Sequence, residues 1–130
     1  MSHTSGIDAP SGHIGAPEPP PMDGKSYLDR LQESGVNVVN LTLAAHSDGL
    51  SEILKMMYAN LNLVSAEPER TMQVETVEDI RTAHREGRIG LIFGSQTGTM
   101  VGRDISRWTI LHKLGLRVSQ VTYNERNELG

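Results

Sequence analysis

The sequence predicts an α/β fold with parallel strands, and two observations support that prediction. Residues 89–93 form a short, almost continuous apolar run, which is typical of a strand buried on both faces of a parallel sheet. A unit made of a helix, a glycine and a strand also recurs three times, with the glycines at Gly35, Gly87 and Gly115. Because helices and strands alternate, we expect parallel strands joined by right-handed crossovers.

The proline and glycine content divides the chain into an arm and a domain. Residues 1–24 hold five of the six prolines and four glycines, and proline removes a backbone donor and disfavours helix in the residue before it. We therefore predict a Pro/Gly-rich arm over residues 1–24, with a short first strand in it, and a folded domain over residues 25–130.

In the first half of the domain we predict a helix, a strand and a second helix. The first helix covers residues 26–33 and stops at Gly35. The strand covers Val36 to Leu43, which is β-branched and apolar, and it leads into a polar turn. The second helix covers Leu50 to Leu63. Its predicted apolar stripe is Ile53, Leu54, Met57, Leu61 and Val64, with Met56 and Met57 as core residues.

In the second half we predict two helices and two strands. Thr76 is placed to cap a helix that runs to Glu86, with acidic residues in its first turn and Gly87 at its end. The strand at residues 89–93 follows. The next helix covers residues 104–114 with Ile105, Trp108, Leu111 and Leu114 on its apolar side, and the last strand covers residues 116–122.

The composition excludes several classes of protein. The net charge is −4 and the Lys and Arg residues are scattered, so we expect no nucleic-acid partner and no anionic membrane partner. The absence of cysteine excludes disulfides, thiolate metal sites and a cysteine nucleophile. No apolar run approaches the roughly 20 residues that a membrane span needs, and no secretory signal is recognisable at the start. We therefore expect a cytoplasmic protein.

The functional residues are expected just after the strand at residues 89–93, because ligands of α/β proteins bind at the carboxyl ends of parallel strands. The turn Gly94–Thr99 resembles the phosphate loop of flavodoxins, in which a hydroxyl-rich turn holds an FMN phosphate on backbone N–H groups. Ser95, Thr97 and Thr99 would be the phosphate-binding residues. One hypothesis is therefore a small flavodoxin-like electron carrier that binds FMN, although in flavodoxins this loop follows the first strand.

A longer resemblance covers about residues 25–130. The stretch TVEDIRTAHREGRIGLIFGSQT (residues 76–97), the following helix, and LGLRVSQVTYNERN (residues 114–127) resemble the front half of the renal (membrane) dipeptidase family of metallopeptidases. The strand VNVVNLT (residues 36–42) fits the second strand of that family.

The resemblance implies the first half of an amidohydrolase-like (β/α)₈ TIM barrel, which as a whole runs to about 250 residues. It also implies one or two zinc ions, hydrolysis of dipeptides or related amides by metal-activated water, and a homo-oligomer. We expect the 130-residue chain to be incomplete, to need the missing C-terminal half or a partner, and to be inactive and prone to association by itself.

Several residues fall at or near positions that the family uses. Gln96 stands where the family has the Glu that bridges the two metal ions, and Pro10 and Gly12 stand where it has a His-x-Asp pair. Some family members share this Gln and lack the pair. Tyr123 falls where relatives have a substrate-contacting histidine, so Tyr123 and Asn124 are predicted substrate-binding residues.

A second His-x-Asp pair has two interpretations. His46 and Asp48 follow the strand at residues 36–43, and their side chains are suitable ligands for a first-row metal such as zinc. Ser47 and Asp48 also suit a helix cap at this position. The sequence leaves both interpretations open.

Overall fold

Strands and helices alternate along the part of the chain that the computed structural model describes, which is residues 25–44, 49–123 and 126–130. In chain order the elements are α1 (Tyr27–Glu33), β1 (Val38–Thr42), α2 (Leu50–Ala66), β2 (Thr71–Gln73), α3 (Val77–Glu86), β3 (Ile89–Ser95), a 3₁₀ helix (Thr99–Val101), α4 (Ser106–Lys113) and β4 (Leu116–Ser119). The predicted arm, with its short first strand, lies outside the described residues.

The sheet is organised around β3, which pairs in parallel with the three other strands. Strand β1 lies along one edge of β3, from Val38 beside Gly90 to Thr42 beside Gly94. On the other edge β2 pairs with residues 89–91, and β4 pairs with residues 93–95 after an irregularity in register. The predicted parallel α/β fold is therefore confirmed, and β3 is buried along its length except for the half-buried Ile92.

The helix ends follow local sequence signals. Ser26 and Thr76 cap α1 and α3, and in each case the aspartate at the third helical position, Asp29 or Asp79, bonds back to the cap N–H. This reciprocal capping satisfies backbone donors that a helix otherwise leaves free. Helix α3 ends at Gly87, whose φ of 68° is the left-handed conformation that glycine adopts most readily.

The buried face of α2 differs from the predicted stripe. Ile53 and Met57 are buried as predicted, and Met56 is a core residue too. The prediction is wrong for Leu54 and Leu61, whose side chains are 40% and 39% exposed. Asn60 and Leu63 are buried instead. The buried face of α2 is therefore rotated by about one residue from the predicted face.

Helix α4 also buries less than the sequence predicts. Leu111 is buried and Trp108 packs against the core. Ile105 and Leu114 are exposed, so the prediction that they share the buried side is wrong. The helix has only eight residues, which limits it to about two turns and a narrow contact with the sheet.

Three details of the fold lay beyond the sequence patterns. Strand β2 is three residues long, and the 3₁₀ helix is equally short, so neither has room for a periodic signal. Strand β4 ends at Ser119, earlier than the predicted residue 122.

No helix within the described ranges is long and apolar enough to cross a membrane.

Candidate functional site

The carboxyl ends of three strands meet at one edge of the sheet. The N–H of Gln96 donates to the carbonyl of Ala44 at 2.9 Å, which joins the exits of β3 and β1. On the other side, the N–H of Gln120 donates to the carbonyl of Ser95 at 3.0 Å, which joins the exits of β3 and β4. We call residues 94–99 the strand-end turn. Its position at this edge agrees with the sequence-based expectation for a functional site.

The backbone N–H groups of the strand-end turn are used within the protein. The N–H of Gln96 bonds to Ala44, that of Thr97 to Ser95 Oγ at 3.1 Å, and that of Thr99 to Thr97 Oγ1 at 3.2 Å. The N–H of Gly98 donates to the carbonyl of Val121 at 2.9 Å. Four consecutive donors, from residue 96 to residue 99, are thereby satisfied internally.

This arrangement gives the FMN hypothesis no support. A phosphate loop binds its anion with free backbone N–H groups that converge on one point. The side chains of Ser95 and Thr97 are also buried, and the hydroxyl of Ser95 donates to the carbonyl of Thr97. Thr99 is in hydroxyl contact with Thr97 at 2.7 Å. The three hydroxyl groups stabilise the turn from within, and its backbone N–H groups are not available for an FMN phosphate.

Gln96 differs from its neighbours in the turn. Its side chain is half-buried, and among the described residues no hydrogen bond is found for its amide group. The residues on both sides of Gln96 are held by the hydrogen bonds above. Gln96 and Thr99 are the half-buried residues of the turn, and Gln96 is its candidate for contact with a ligand.

Of the predicted substrate-binding residues and the alternative metal pair, only Tyr123 lies within the described part of the chain. Tyr123 lies beyond β4 and is 50% exposed. His46, Asp48 and Asn124 lie outside the described residues. The two interpretations of the His-x-Asp pair therefore both stay predictions, as does the role of Asn124.

Two asparagines near this edge were not recognised from the sequence. Asn40 lies on β1 beside Ile92 in the register, and its Oδ1 reaches over Gly94, where an added Cβ would be only 2.1 Å away. A polar residue within the apolar strand β1 was the available signal. Asn127 bonds to Thr97 and Val121, and no local pattern indicated this.

The described residues do not form a zinc site by themselves. Within the ranges that the structure covers, no three His, Cys, Asp or Glu side chains are grouped so that they could hold a metal ion. The side chains at the described strand ends are amides and hydroxyls, such as those of Gln96, Thr42 and Ser119. A neutral amide is a weak ligand that cannot bridge two cations as a carboxylate does. The donor set seen here therefore does not fit a two-zinc centre.

The perturbed carboxyl groups lie at helix starts and have structural causes. The pKa of Asp29 is lowered mainly by the N–H of Ser26, that of Asp79 mainly by the N–H of Glu75, and that of Asp104 mainly by the hydroxyl of Ser106. Hydrogen bonds donated to a carboxylate favour its charged form. These shifts therefore reflect local hydrogen bonds at helix starts and do not mark an acid–base site.

Solved structures with similar folds are dipeptidases and related hydrolases. An amidohydrolase from Pseudomonas aeruginosa superposes with a TM-score of 0.75 at 22% identity, over 79% of this chain and 31% of that one. A metallo peptidase from Rhodobacter sphaeroides, liganded with a phosphinate mimic of the dipeptide L-Ala-D-Ala, gives 0.70 at 17% identity, over 76% and 36%. The dipeptidase AC gives 0.68 at 18% identity, over 75% and 33%. At these identities the likeness shows the fold.

The extent of the matches agrees with the sequence-based resemblance. The chain spans about a third of the length of these solved structures, and it corresponds to part of their TIM barrels. No curated protein matches the chain. The profile of the membrane dipeptidases matches residues 22–130, which is most of the sequence. The chain therefore belongs to the membrane dipeptidase family, Peptidase family M19.

Proposed function

We propose that this chain is a segment of a dipeptidase-like hydrolase whose substrates are dipeptides or related amides. The observation that carries the proposal is the family match over residues 22–130, combined with the position of Gln96 at the carboxyl end of the central strand. Substrates of α/β enzymes bind at that end of the sheet. The L-Ala-D-Ala mimic held by the structural relative indicates the class of ligand to test.

The residues of this edge suit the recognition of an uncharged amide. The Gln96 amide offers both a donor and an acceptor, and the Tyr123 hydroxyl does the same. A peptide group needs one partner of each kind, so these two side chains are proposed to bind and orient the substrate. Asn40, which lies beside the same strand end, has an amide with the same two capacities.

Zinc is predicted by the family resemblance, and the described residues alone do not form its site. We therefore assign no metal-dependent step to Gln96 or its neighbours. Their proposed role is to hold the amide substrate against the sheet edge. In a longer protein that contains this segment, the bound metal would supply the activated water that hydrolysis requires.

The proposal is tested first by binding of a dipeptide and then by hydrolysis. The chain would be titrated with L-Ala-D-Ala while the NMR signals of residues 94–98 and the Gln96 side-chain amide are followed. We expect shifts in those signals that Gln96→Ala abolishes, and no effect of Gln120→Ala, which removes an exposed amide from the neighbouring strand exit.

Hydrolysis would be measured with a longer protein that contains the segment, with and without added zinc. We expect zinc-dependent release of alanine. A longer protein that forms a full barrel, binds zinc and hydrolyses none of a panel of dipeptides would rule out the proposed activity.

A further inference from the structure

We propose that Asn127 is a positioning residue that fastens the strand-end turn to the segment following β4. The structural role of Asn127 is supported by its hydrogen bonds alone. Its meaning for catalysis rests on the proposed function, because the turn presents Gln96 and the segment following β4 includes Tyr123. Asn127 is separated from Thr97 by 30 residues in sequence, so the link is a tertiary contact.

The side-chain amide of Asn127 has three hydrogen-bond partners. Its Nδ2 donates to the carbonyl of Val121 at 2.8 Å and to Thr97 Oγ1 at 3.4 Å. Its Oδ1 accepts the N–H of Leu129 at 2.8 Å. An asparagine amide has two N–H donors and one carbonyl oxygen, so each of its groups has a partner. Because the carbonyl of Val121 can only accept, the orientation of the amide follows from this network.

The carbonyl of Val121 joins the two parts of the site. It accepts the N–H of Gly98 at 2.9 Å as well as the Asn127 amide. A carbonyl oxygen has two lone pairs, and both are occupied here. Asn127 therefore supports the same oxygen that holds the strand-end turn against the exit of β4.

The hydrogen bonds at Thr97 also order the turn internally. Thr97 Oγ1 accepts the N–H of Thr99 at 3.2 Å and the amide of Asn127. A hydroxyl oxygen has two lone pairs and one proton, so the Thr97 proton must go to Thr99 Oγ1, which lies 2.7 Å away. Removal of the Asn127 donor frees a lone pair on Thr97 and allows its hydroxyl to rotate.

Leu129 packs against Gly98, next to the carbonyl of Val121. An added Cβ at Gly98 would lie 2.4 Å from Leu129 Cδ1 and 3.0 Å from the Val121 carbonyl oxygen, and 3.5 Å from the ring of Trp108. The turn and the C-terminal segment thus touch where Gly98 has no side chain. Asn127 holds Leu129 in this position through the bond to its N–H.

Both neighbours of Gln96 in the chain are held by hydrogen bonds to the last part of the chain. The carbonyl of Ser95 accepts the N–H of Gln120, which directly follows β4. The hydroxyl of Thr97 accepts the amide of Asn127. Asn127 therefore acts on Gln96 through Thr97 and Gly98, without contacting a substrate itself.

The test uses Asn127→Ala and Asn127→Asp in the full 130-residue chain, with Glu128→Gln as a matched control. The aspartate variant keeps the acceptor for Leu129 and loses both donors. Glu128→Gln removes the exposed ion pair with Arg103, which stabilises little. The readouts are hydrogen exchange at the Gly98 N–H and the fluorescence of Trp108, the single tryptophan of the chain.

We expect both Asn127 variants to speed exchange at Gly98 by roughly tenfold, because both lose the bonds donated to Val121 and Thr97, and to shift the Trp108 emission. Glu128→Gln should leave both unchanged. Exchange at Gly90, whose N–H bonds to Asn37 at 2.8 Å, reports whether the sheet stays folded. Unchanged exchange at Gly98 in both Asn127 variants would overturn the proposal.

These readouts do not depend on peptidase activity. Faster exchange at Gly98 together with no dipeptide hydrolysis by a longer protein would keep the positioning role and reject the proposed function. In an active longer protein, Asn127→Ala should lower kcat/KM for the dipeptide, and Glu128→Gln should not.

Discussion

The N–H of Gln96 donates to the carbonyl oxygen of Ala44 across 2.9 Å, so the residue after β3 is fixed at the exit of β1. This bond continues the parallel ladder by one step beyond the regular strand. It places a neutral amide where the family resemblance predicts a metal-bridging carboxylate. We therefore expect the chemistry of residue 96 to influence whether this edge of the sheet binds a metal ion.

We predict that the zinc content of the chain depends on residue 96. We expect the wild-type chain to retain less than stoichiometric zinc after dialysis, because an amide is a weak ligand. Gln96→Glu should retain more, since a carboxylate is a stronger ligand. Elemental analysis would measure both, with His46→Ala as the control for the alternative pair. One zinc per wild-type chain, lost in His46→Ala, would show instead that His46 and Asp48 form the site.

Acid should destabilise the fold through the capping aspartates. The pKa of Asp79 lies below the ordinary value of 3.8, chiefly because the Glu75 N–H bonds to its carboxylate at 2.9 Å. A carboxyl group whose pKa is lower in the folded state than in the unfolded state stabilises the fold at pH values above its unfolded-state pKa. This contribution is lost as the pH falls through the folded-state pKa. We therefore expect stability to fall below pH 3.8.

Urea unfolding at a series of pH values would check this, with Asp79→Asn as the comparison. The variant should show a shallower loss of stability in acid, because it removes one titrating group while Asp29 and Asp104 remain. Equal slopes for the two proteins would contradict the assignment to Asp79.

Two helix-terminating glycines should differ in their sensitivity to substitution. Gly87 has a φ of 68° and no atom within 4 Å of an added Cβ, whereas Gly115 has a φ of 118° and the Gln73 amide 2.1 Å from that position. We expect Gly87→Ala to cost about 1 kcal/mol of unfolding free energy. Gly115→Ala should cost about 2 to 3 kcal/mol, because a φ of 118° lies outside the left-handed region that other residues tolerate. The Gln73 amide is the end of a flexible side chain and can move away from the added Cβ. Urea unfolding measures both variants, and equal costs would be inconsistent with greater backbone strain at Gly115.

We propose that the chain associates through β4, which pairs with β3 on one side. An edge strand exposes unpaired backbone groups and recruits other chains, and Val118 on this strand is 42% exposed. Sedimentation velocity should show dimers or larger species for the wild type. Val118→Lys should reduce the mean mass, because a charge on an edge strand blocks pairing. Val77→Lys, which charges an exposed position on α3, is the control. A monomeric wild type would refute the association.

Signals within a few residues of each other were sufficient to locate most of the elements. The cap formed by Thr76 and Asp79, and the stop at Gly87, involve neighbours in sequence, so they can be recognised without a fold. The same is true of the apolar run in β3. The family resemblance was recognisable because its motifs are also continuous stretches of sequence.

Other features became visible only when distant parts of the chain were packed together. The side of α2 that faces the sheet, the sharing of one β3 edge by β2 and β4, and the bond between Asn127 and Thr97 all join residues far apart in sequence. The internal use of the N–H groups at residues 96–99 belongs to the same class, since two of them bond to Ala44 and Val121 on other strand exits. Local spacing carries no information about such partners, because packing of the whole sheet brings them within hydrogen-bonding distance.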